Sequence, residues 1–284
     1  IHQSLKEISF KNNRFNQEIE KNFVGRNAEM QKFEDKINNL DNWTPTYIIA
    51  YNYFEGIGRR TFLKNALRKH GFIDYLNSPT IITIDSKESI ENFIYKLNSV
   101  NKNEEILEYD FSRLDKETKI NLAIKLVNQF MIFNELIFVV DDGGIILPNG
   151  SIVEWFSSIV IDEEFNNNLA ICLISKFRPN EIFLKKERKS LTFRIPELSI
   201  PETKNLFLKL LKIYQLENIS REDKKNILKH LKGVPSQIIY AANLLEIDPL
   251  DAKKNIPEIV EFADKFSSTI LNHLKEDKQT YQLI

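Results

Sequence analysis

Tyr53-Phe54-Glu55-Gly56-Ile57-Gly58-Arg59-Arg60-Thr61-Phe62-Leu63 is the stretch on which the fold turns. It follows the apolar run 47–50 and leads into residues 61–69, which carry a helical pattern. Glycine is scarce, 8 in 284 residues, so two within three positions mark a required turn. A strand, a glycine-containing turn and a helix in that order aim backbone N–H groups and a helix N-terminus at one point, where an anion would sit. A Gly-containing turn with no ligand reads the same residues equally well, so the loop alone does not decide.

Outward from that loop the chain alternates. Short runs rich in Ile, Val and Phe occur at 47–50, 80–84, 136–140, 169–174 and 191–195, each nearly continuous in hydrophobicity. Such runs suit strands buried on both faces of a parallel sheet. Between them, residues 61–69, 87–97, 116–133 and 152–162 read as helices, with Ile120, Ile124, Val127 and Met131 forming a stripe at three- and four-residue spacing. This rhythm predicts an α/β, three-layer fold. After Pro196 the strands stop. Helices are expected from Pro201, from the cap-like pair Ser220 and Asp223, around Ile238–Ala241–Ala242–Leu245, and over 256–274, with Gly233, Pro235 and Pro249 as breaks. The predicted organisation is a linker or lead-in helix over 1–22, an α/β domain over 23–197 and a small all-helical domain over 198–284.

Composition bounds the function. The chain is 42% hydrophobic and 28% charged, with 39 basic against 40 acidic residues, a net charge of −1. That balance gives no global drive toward nucleic acid or an anionic membrane. Cys172 is the only cysteine, which excludes an internal disulfide framework and a cysteine-rich metal site. His2, His70, His230 and His273 lack ligand spacing. No apolar run approaches the ~20 residues of a membrane span, and no signal-peptide core opens the chain, so a cytosolic protein is expected. The chain begins at Ile1 without an initiator Met, as expected of a processed chain or a piece of something longer. Cys172, Trp43 and Trp155 read as packing residues, Trp43 also lying near enough to the first strand to line a pocket. The basic run Lys185-Lys186-Glu187-Arg188-Lys189 reads as a solvated loop, with phosphate or nucleic-acid contact as the minority alternative.

Three further segments bear on the loop. Leu136-Ile137-Phe138-Val139-Val140-Asp141-Asp142 is an apolar strand ending in two acids, the pattern of a Walker B strand; an acidic turn into Gly143 is the plainer alternative. Ser175-Lys176-Phe177-Arg178 closes a later strand with an Arg, readable as a phosphate sensor or as an ordinary solvated Arg. Phe23-Val24-Gly25-Arg26, followed by Glu29, stands ahead of a helix. Against G-x-x-x-x-G-K-[ST], the central loop departs at three of four defining positions: Tyr53 for the first Gly, Arg59 for Lys and Arg60 for Ser/Thr, with Thr61 one place late.

In order and spacing these segments, together with Ile195-Pro196-Glu197-Leu198-Ser199 and Gly233-Val234-Pro235-Ser236, resemble the STAND class of P-loop NTPases. This is the NB-ARC-like group that includes bacterial and plant immune receptors. The resemblance spans about residues 23–250. It implies a P-loop NTPase-like sheet followed by a helical lid, with ATP or ADP as cofactor. Val24 and Arg26 would border the adenine; Gly56, Ile57, Gly58, Arg59, Arg60 and Thr61 would cradle the phosphates; and Pro235 would lie against the base. Asp141 would hold Mg²⁺, Asp142 would polarise the attacking water, and Arg178 would sense the γ-phosphate. The family's winged-helix domain has no match before Ile284.

The departures predict weak or lost hydrolysis. Arg59 keeps the charge of Lys but is planar and geared to fork-like contacts. Arg60 puts a second cation where Mg²⁺ would be ligated, and so disfavours the metal. The resemblance implies a regulatory nucleotide-binding and oligomerisation module of a signalling protein, of the kind found in antiphage defence. It would be a homo-oligomer on activation, with sensor and effector domains (a TIR NADase, for example) outside this chain. A membrane role and nucleic-acid binding are not expected. Two alternatives remain open at this level: an active AAA-like ATPase and a pseudo-NTPase scaffold without nucleotide.

Overall fold

The computed structural model describes residues 23–40, 44–73, 79–101, 111–132, 135–163, 169–182, 184 and 190–276. Trp43 and the basic run 185–189 lie outside them. The chain divides into two compact units. A sheet unit comprises Ala28–Glu55 and Ala66–Pro196, and a helical unit comprises Ile1–Asn27, Gly56–Asn65 and Glu197–Ile284.

The sheet unit is built on β1 (Tyr47–Tyr51), β2 (Thr80–Asp85), β3 (Ile137–Asp142), β4 (Ile171–Ser175) and β5 (Ser190–Arg194). Their order is β2-β3-β4-β1-β5, and every pairing is parallel. The α/β class expected from the sequence is the class observed. Parallel neighbours require crossovers, and helices alternate with the strands along the chain: α1 (Asn27–Asn38), α2 (Arg59–Lys69), α3 (Ile90–Asn101), α4 (Lys116–Ile132) and α5 (Glu154–Val160). All of β4, and β1 up to Ala50, is buried, as the unbroken apolar runs require of central strands. The edge strand β2 differs: Ile82 and Ile84 are buried whereas Ile81 is 44% exposed, because only one face is covered.

The core of this unit packs Phe93, Ile94 and Leu97 of α3 and Leu126, Val127 and Phe130 of α4 against Ile49, Val139 and Leu173. Phe156 of α5 meets Tyr47 edge-on with centroids 5.7 Å apart. Each such buried aromatic or aliphatic side chain stabilises the fold by about 1.5–3 kcal/mol. Two helices start later than their apolar pattern suggests, for local reasons. The Glu88 N–H donates to Asp85 O in a turn, so α3 begins only at Ile90. Ile152 bridges Ile146, and the Val153 N–H donates to Ile145 O at 3.0 Å, which holds both residues extended ahead of α5.

The topology singles out one place. From β1 the chain crosses to β2 at one edge, and from β4 it crosses to β5 beyond β1. Connections therefore leave the neighbours β1 and β4 in opposite directions, and the crevice at their carboxyl ends is where open α/β sheets bind ligands. Asn52–Glu55 leaves β1 there, and Lys176 leaves β4.

The helical unit carries α6 (Ile200–Ile213), α7 (Arg221–His230), α8 (Pro235–Ile247) and α9 (Ala252–Glu276). Phe207, Leu210, Leu211, Ile227, Ile238, Ala241, Ala242, Leu245 and Ile259 form its core. Ser199 and Glu202 close a reciprocal capping box on α6, and Ser220 Oγ accepts the Asp223 N–H at 3.0 Å on α7. The last helix begins at Ala252, ahead of the predicted residue 256, and runs through Pro257. Pro257 lies in the second turn, where it gives up one hydrogen bond and crowds the carbonyl of Lys253, while buried Ala252 and Ile259 anchor the helix on either side of it. Among the described residues no helix is long and apolar enough to cross a membrane.

Candidate functional site

Within the helical unit, three separate pieces of sequence converge on one pocket. It is lined by Phe23, Val24 and Arg26, by Ile57, Gly58 and Thr61, and by Leu198, Leu206, Pro235 and Ile239. The enclosed cavity is small, about 80 Å³, and opens onto solvent, so by itself it is below the usual size of a small-molecule site. Most of the lining is apolar, with the Thr61 hydroxyl and the Arg26 segment as polar elements. Such walls suit a flat, largely apolar ring with a polar edge.

Arg26 organises this pocket. It is 3% exposed and sits at φ 66°, a left-handed conformation unusual for a side-chain-bearing residue. Its guanidinium Nη2 donates to Ile57 O at 2.6 Å, which ties the segment before α1 to the loop before α2. Its backbone N–H donates to Glu202 Oε1. Glu202 Oε2 accepts from the Ser199 N–H at 2.9 Å and from Ser199 Oγ at 2.7 Å, completing the α6 cap. Burial opposes the ionised form of Glu202, but the hydrogen bonds from Ser199 and Arg26 outweigh it and lower its pKa.

Gly56 meets the start of α8. Its carbonyl accepts the Ser236 N–H at 3.2 Å. Gly56 has φ 68°, and a Cβ there would lie 2.0 Å from Ser236 Oγ, so both backbone twist and close approach demand glycine. Gly58 has φ 90°, yet a Cβ on it would only touch Pro235 Cγ at 3.7 Å. Arg59 and Arg60 open α2, the first half-buried and the second exposed. Neither they nor Gly56 line the pocket, whereas Val24, Arg26, Ile57, Gly58, Thr61 and Pro235 do.

In the sheet unit the two acids at the end of β3 have different surroundings. Asp141 is 1% exposed and its carboxylate takes four donors. Oδ1 accepts from Gly143 N at 3.1 Å and Ile145 N at 2.8 Å, and Oδ2 accepts from Ile146 N at 3.0 Å and Ser175 Oγ at 2.8 Å. Burial pushes its pKa up, against the pull of those bonds. Asp142, more exposed, pairs with the Lys176 ammonium, which also contacts Glu55 Oε1 at 2.9 Å. Burial would lower the pKa of Lys176, but hydrogen bonds to Asp142 and Glu55 raise it.

These residues do not fit a divalent cation. Every lone-pair direction of Asp141 is committed to folding the 143–146 turn, and Asp142 already holds a cation. Among the described residues there is no group of three or more His, Cys, Asp or Glu side chains arranged for a metal. Arg178 is exposed and pairs with Glu181 at 2.6 Å, three residues along the chain. Cys172 lies fully buried in β4 with its thiol pKa pushed up by burial. Trp155, partly buried, packs tilted against Phe93 with ring centroids 5.4 Å apart.

Sequence reasoning missed Phe23, Leu198, Leu206 and Ile239 as pocket residues, and Glu55, Lys176 and Glu202 as charged partners. The Ser199-x-x-Glu202 capping box was a readable signal for Glu202. Nothing local distinguishes Leu206 and Ile239 from ordinary core positions.

No protein-family model and no curated protein matches the sequence. Solved structures do resemble it. The Thermotoga maritima RuvB Holliday junction branch migration motor aligns at 11% identity and a TM-score of 0.50, covering 84% of this chain and 70% of that one. The Aeropyrum pernix ORC2 protein in ADPNP-ADP complexes gives 11% identity, a TM-score of 0.48 and coverage of 83% and 67%. Domain III of the T. maritima replication initiation protein DnaA gives 12% identity, 0.48, and coverage of 87% and 95%. At 11% identity the likeness to the RuvB motor speaks to fold alone. With the parallel order β2-β3-β4-β1-β5, the chain has an α/β fold of the P-loop NTPase type.

Proposed function

We propose that this chain is the nucleotide-binding, regulatory core of a STAND-type signalling protein, one that holds ATP or ADP without efficient hydrolysis. The observation that carries the reading is the pocket in the helical unit. Sequence motifs far apart in the chain, Val24 and Arg26, Ile57 to Thr61, and Pro235, line one apolar cleft there. The nucleobase occupies that cleft, between Val24 and Pro235. The turn at Gly56–Gly58 and the first residues of α2 supply N–H groups, helix dipole and the Arg59 charge for the phosphates.

The residues of this chain do the binding and orienting. Arg26 fixes Ile57 and the loop, and Glu202 transmits the position of that segment to the cap of α6. Hydrolysis requires a metal-held phosphate and an oriented water, and Asp141 and Asp142 are committed elsewhere. The chain therefore acts as a switch that reports nucleotide occupancy to the α6–α8 helices. Self-association on activation, sensor and effector domains outside this chain, and a role in antiphage defence complete the reading.

The test is direct. The purified chain is denatured, released nucleotide is identified by chromatography, and ATP and ADP are titrated into the refolded or nucleotide-free protein. Bound nucleotide that is lost in Arg59→Glu supports the proposal. A folded chain that carries none and ignores both overturns it and leaves a scaffold.

A further inference from the structure

Lys176 leaves β4 at the crevice where the β1 and β4 connections diverge, and it holds two carboxylates from neighbouring segments. Its ammonium contacts Asp142 Oδ1 at the end of β3 and Glu55 Oε1 in the segment leaving β1. The lysine side chain is 16% exposed, against 42% for Asp142 and 61% for Glu55, so the cation is the covered member of the trio. Both carboxylate oxygens lie within hydrogen-bonding reach of one nitrogen. That is the arrangement a divalent ion with oxygen ligands would otherwise impose. The remaining acid, Asp141, is satisfied by four internal donors.

We propose that Lys176 is a built-in cation that takes the place of a divalent metal between Glu55 and Asp142, so that the chain binds its nucleotide independently of Mg²⁺. The inference rests on the nucleotide-binding reading above for its second half, while the ion-pair half stands on geometry alone. A single fixed positive charge neutralises Asp142 and ties the end of β3 to the residue immediately before Gly56. A mobile ion would come and go with solution conditions, and the lysine does not.

The experiment has two arms, each on the full chain. Mn²⁺ binding is read by electron paramagnetic resonance in wild type, Lys176→Met, Lys176→Gln and Lys176→Met with Asp142→Asn. Removing the ammonium leaves two facing carboxylates, so both single variants gain a site at least about tenfold tighter than anything in wild type, and the double variant loses it. In the second arm a fluorescent ADP is titrated into wild type in Mg²⁺ and in EDTA, with affinities expected to agree within about twofold.

Wild type binding Mn²⁺ as well as the single variants, or losing about tenfold in ADP affinity with EDTA, overturns the proposal. A chain that binds no ADP under either condition removes the proposed function instead, and the Mn²⁺ comparison then decides the role of Lys176. Should neither lysine variant fold, the wild-type Mn²⁺ and EDTA measurements carry the decision.

Discussion

The backbone N–H of Arg26 donates to Oε1 of Glu202, a carboxylate 176 positions later in the chain that also caps helix α6. One side chain thus serves a local and a long-range role. As a cap it satisfies the first turn of α6; as a tether it fixes the left-handed Arg26 whose guanidinium holds Ile57. Truncation should separate the two roles. Ser199→Ala removes the cap hydroxyl alone and is expected to cost about 1 kcal/mol with ligand affinity unchanged. Glu202→Ala loses both roles and should cost about 2 kcal/mol and weaken nucleotide binding roughly tenfold. Denaturant midpoints and ADP titrations on the two variants check this. Equal affinities in the two would show that the tether does not reach the pocket.

The two glycines of the central loop should respond differently to alanine. At Gly56 the added Cβ would collide with Ser236 Oγ and Cβ, at 2.0 and 2.4 Å, and the φ of 68° adds strain. Gly56→Ala is expected to destabilise the helical unit by more than about 2 kcal/mol. Gly58→Ala faces only Pro235 Cγ at 3.7 Å, so only the strain of φ 90° remains, about 1–2 kcal/mol. Ser236→Gly in the Gly56→Ala background should recover part of the loss. Thermal melts of the three proteins measure the difference, and equal losses at the two glycines would refute the collision.

The α/β class was legible because buried parallel strands leave unbroken apolar runs, and 47–50 and 169–174 are such runs. The edge strand β2 was less so, since Ile81 belongs to the same run as Ile82 and Ile84 but faces outward. The family resemblance implied Val24, Arg26, Gly56, Ile57, Gly58, Arg59, Arg60, Thr61 and Pro235; of these Val24, Arg26, Ile57, Gly58, Thr61 and Pro235 line one pocket, and Gly56, Arg59 and Arg60 do not. Leu206 and Ile239 escaped notice because an apolar residue on a helix reads identically whether it faces a core or a cleft. The pairing of Lys176 with Asp142 and Glu55 escaped too. A charge between Ser175 and Phe177 carries no local mark of its partners, and those arrive only through the register of β1, β3 and β4.

Asp141 and Asp142 are adjacent in sequence yet should behave as opposites. Asn at 141 would present an amide NH₂ to a ring of four donors, leaving at least one buried N–H unpaired. Asp141→Asn is therefore expected to cost about 2–4 kcal/mol in stability. Asp142→Asn keeps an acceptor for Lys176 at a more exposed site and should cost under about 1 kcal/mol. Neither change should alter ATP turnover, which is expected to sit at background in the wild type with Mg²⁺ present. Mg²⁺-dependent hydrolysis that vanishes in Asp142→Asn would restore a catalytic role to that residue.

Acid should loosen the contact between α3 and α4 in a defined window. Glu91 of α3 accepts from the Lys119 ammonium of α4 at 2.6 Å and from Ser89 Oγ. Those two bonds, first Lys119 and then Ser89, hold its carboxyl down to about 2, from an ordinary value of 4.5. A carboxylate depressed in the folded state contributes stability that is fully present above its unfolded pKa. That contribution drains away as pH falls from 4.5 toward 2. Because Glu91 remains about one-third exposed, solvent screening limits the contribution to about 1 kcal/mol. Glu91→Gln should therefore be about 1 kcal/mol less stable than wild type at pH 7, with the gap narrowing by pH 3 and closing toward pH 2. Urea midpoints at pH 7, 4 and 3 measure it. A gap that stays constant across that range would mean the pair contributes through packing and not through charge.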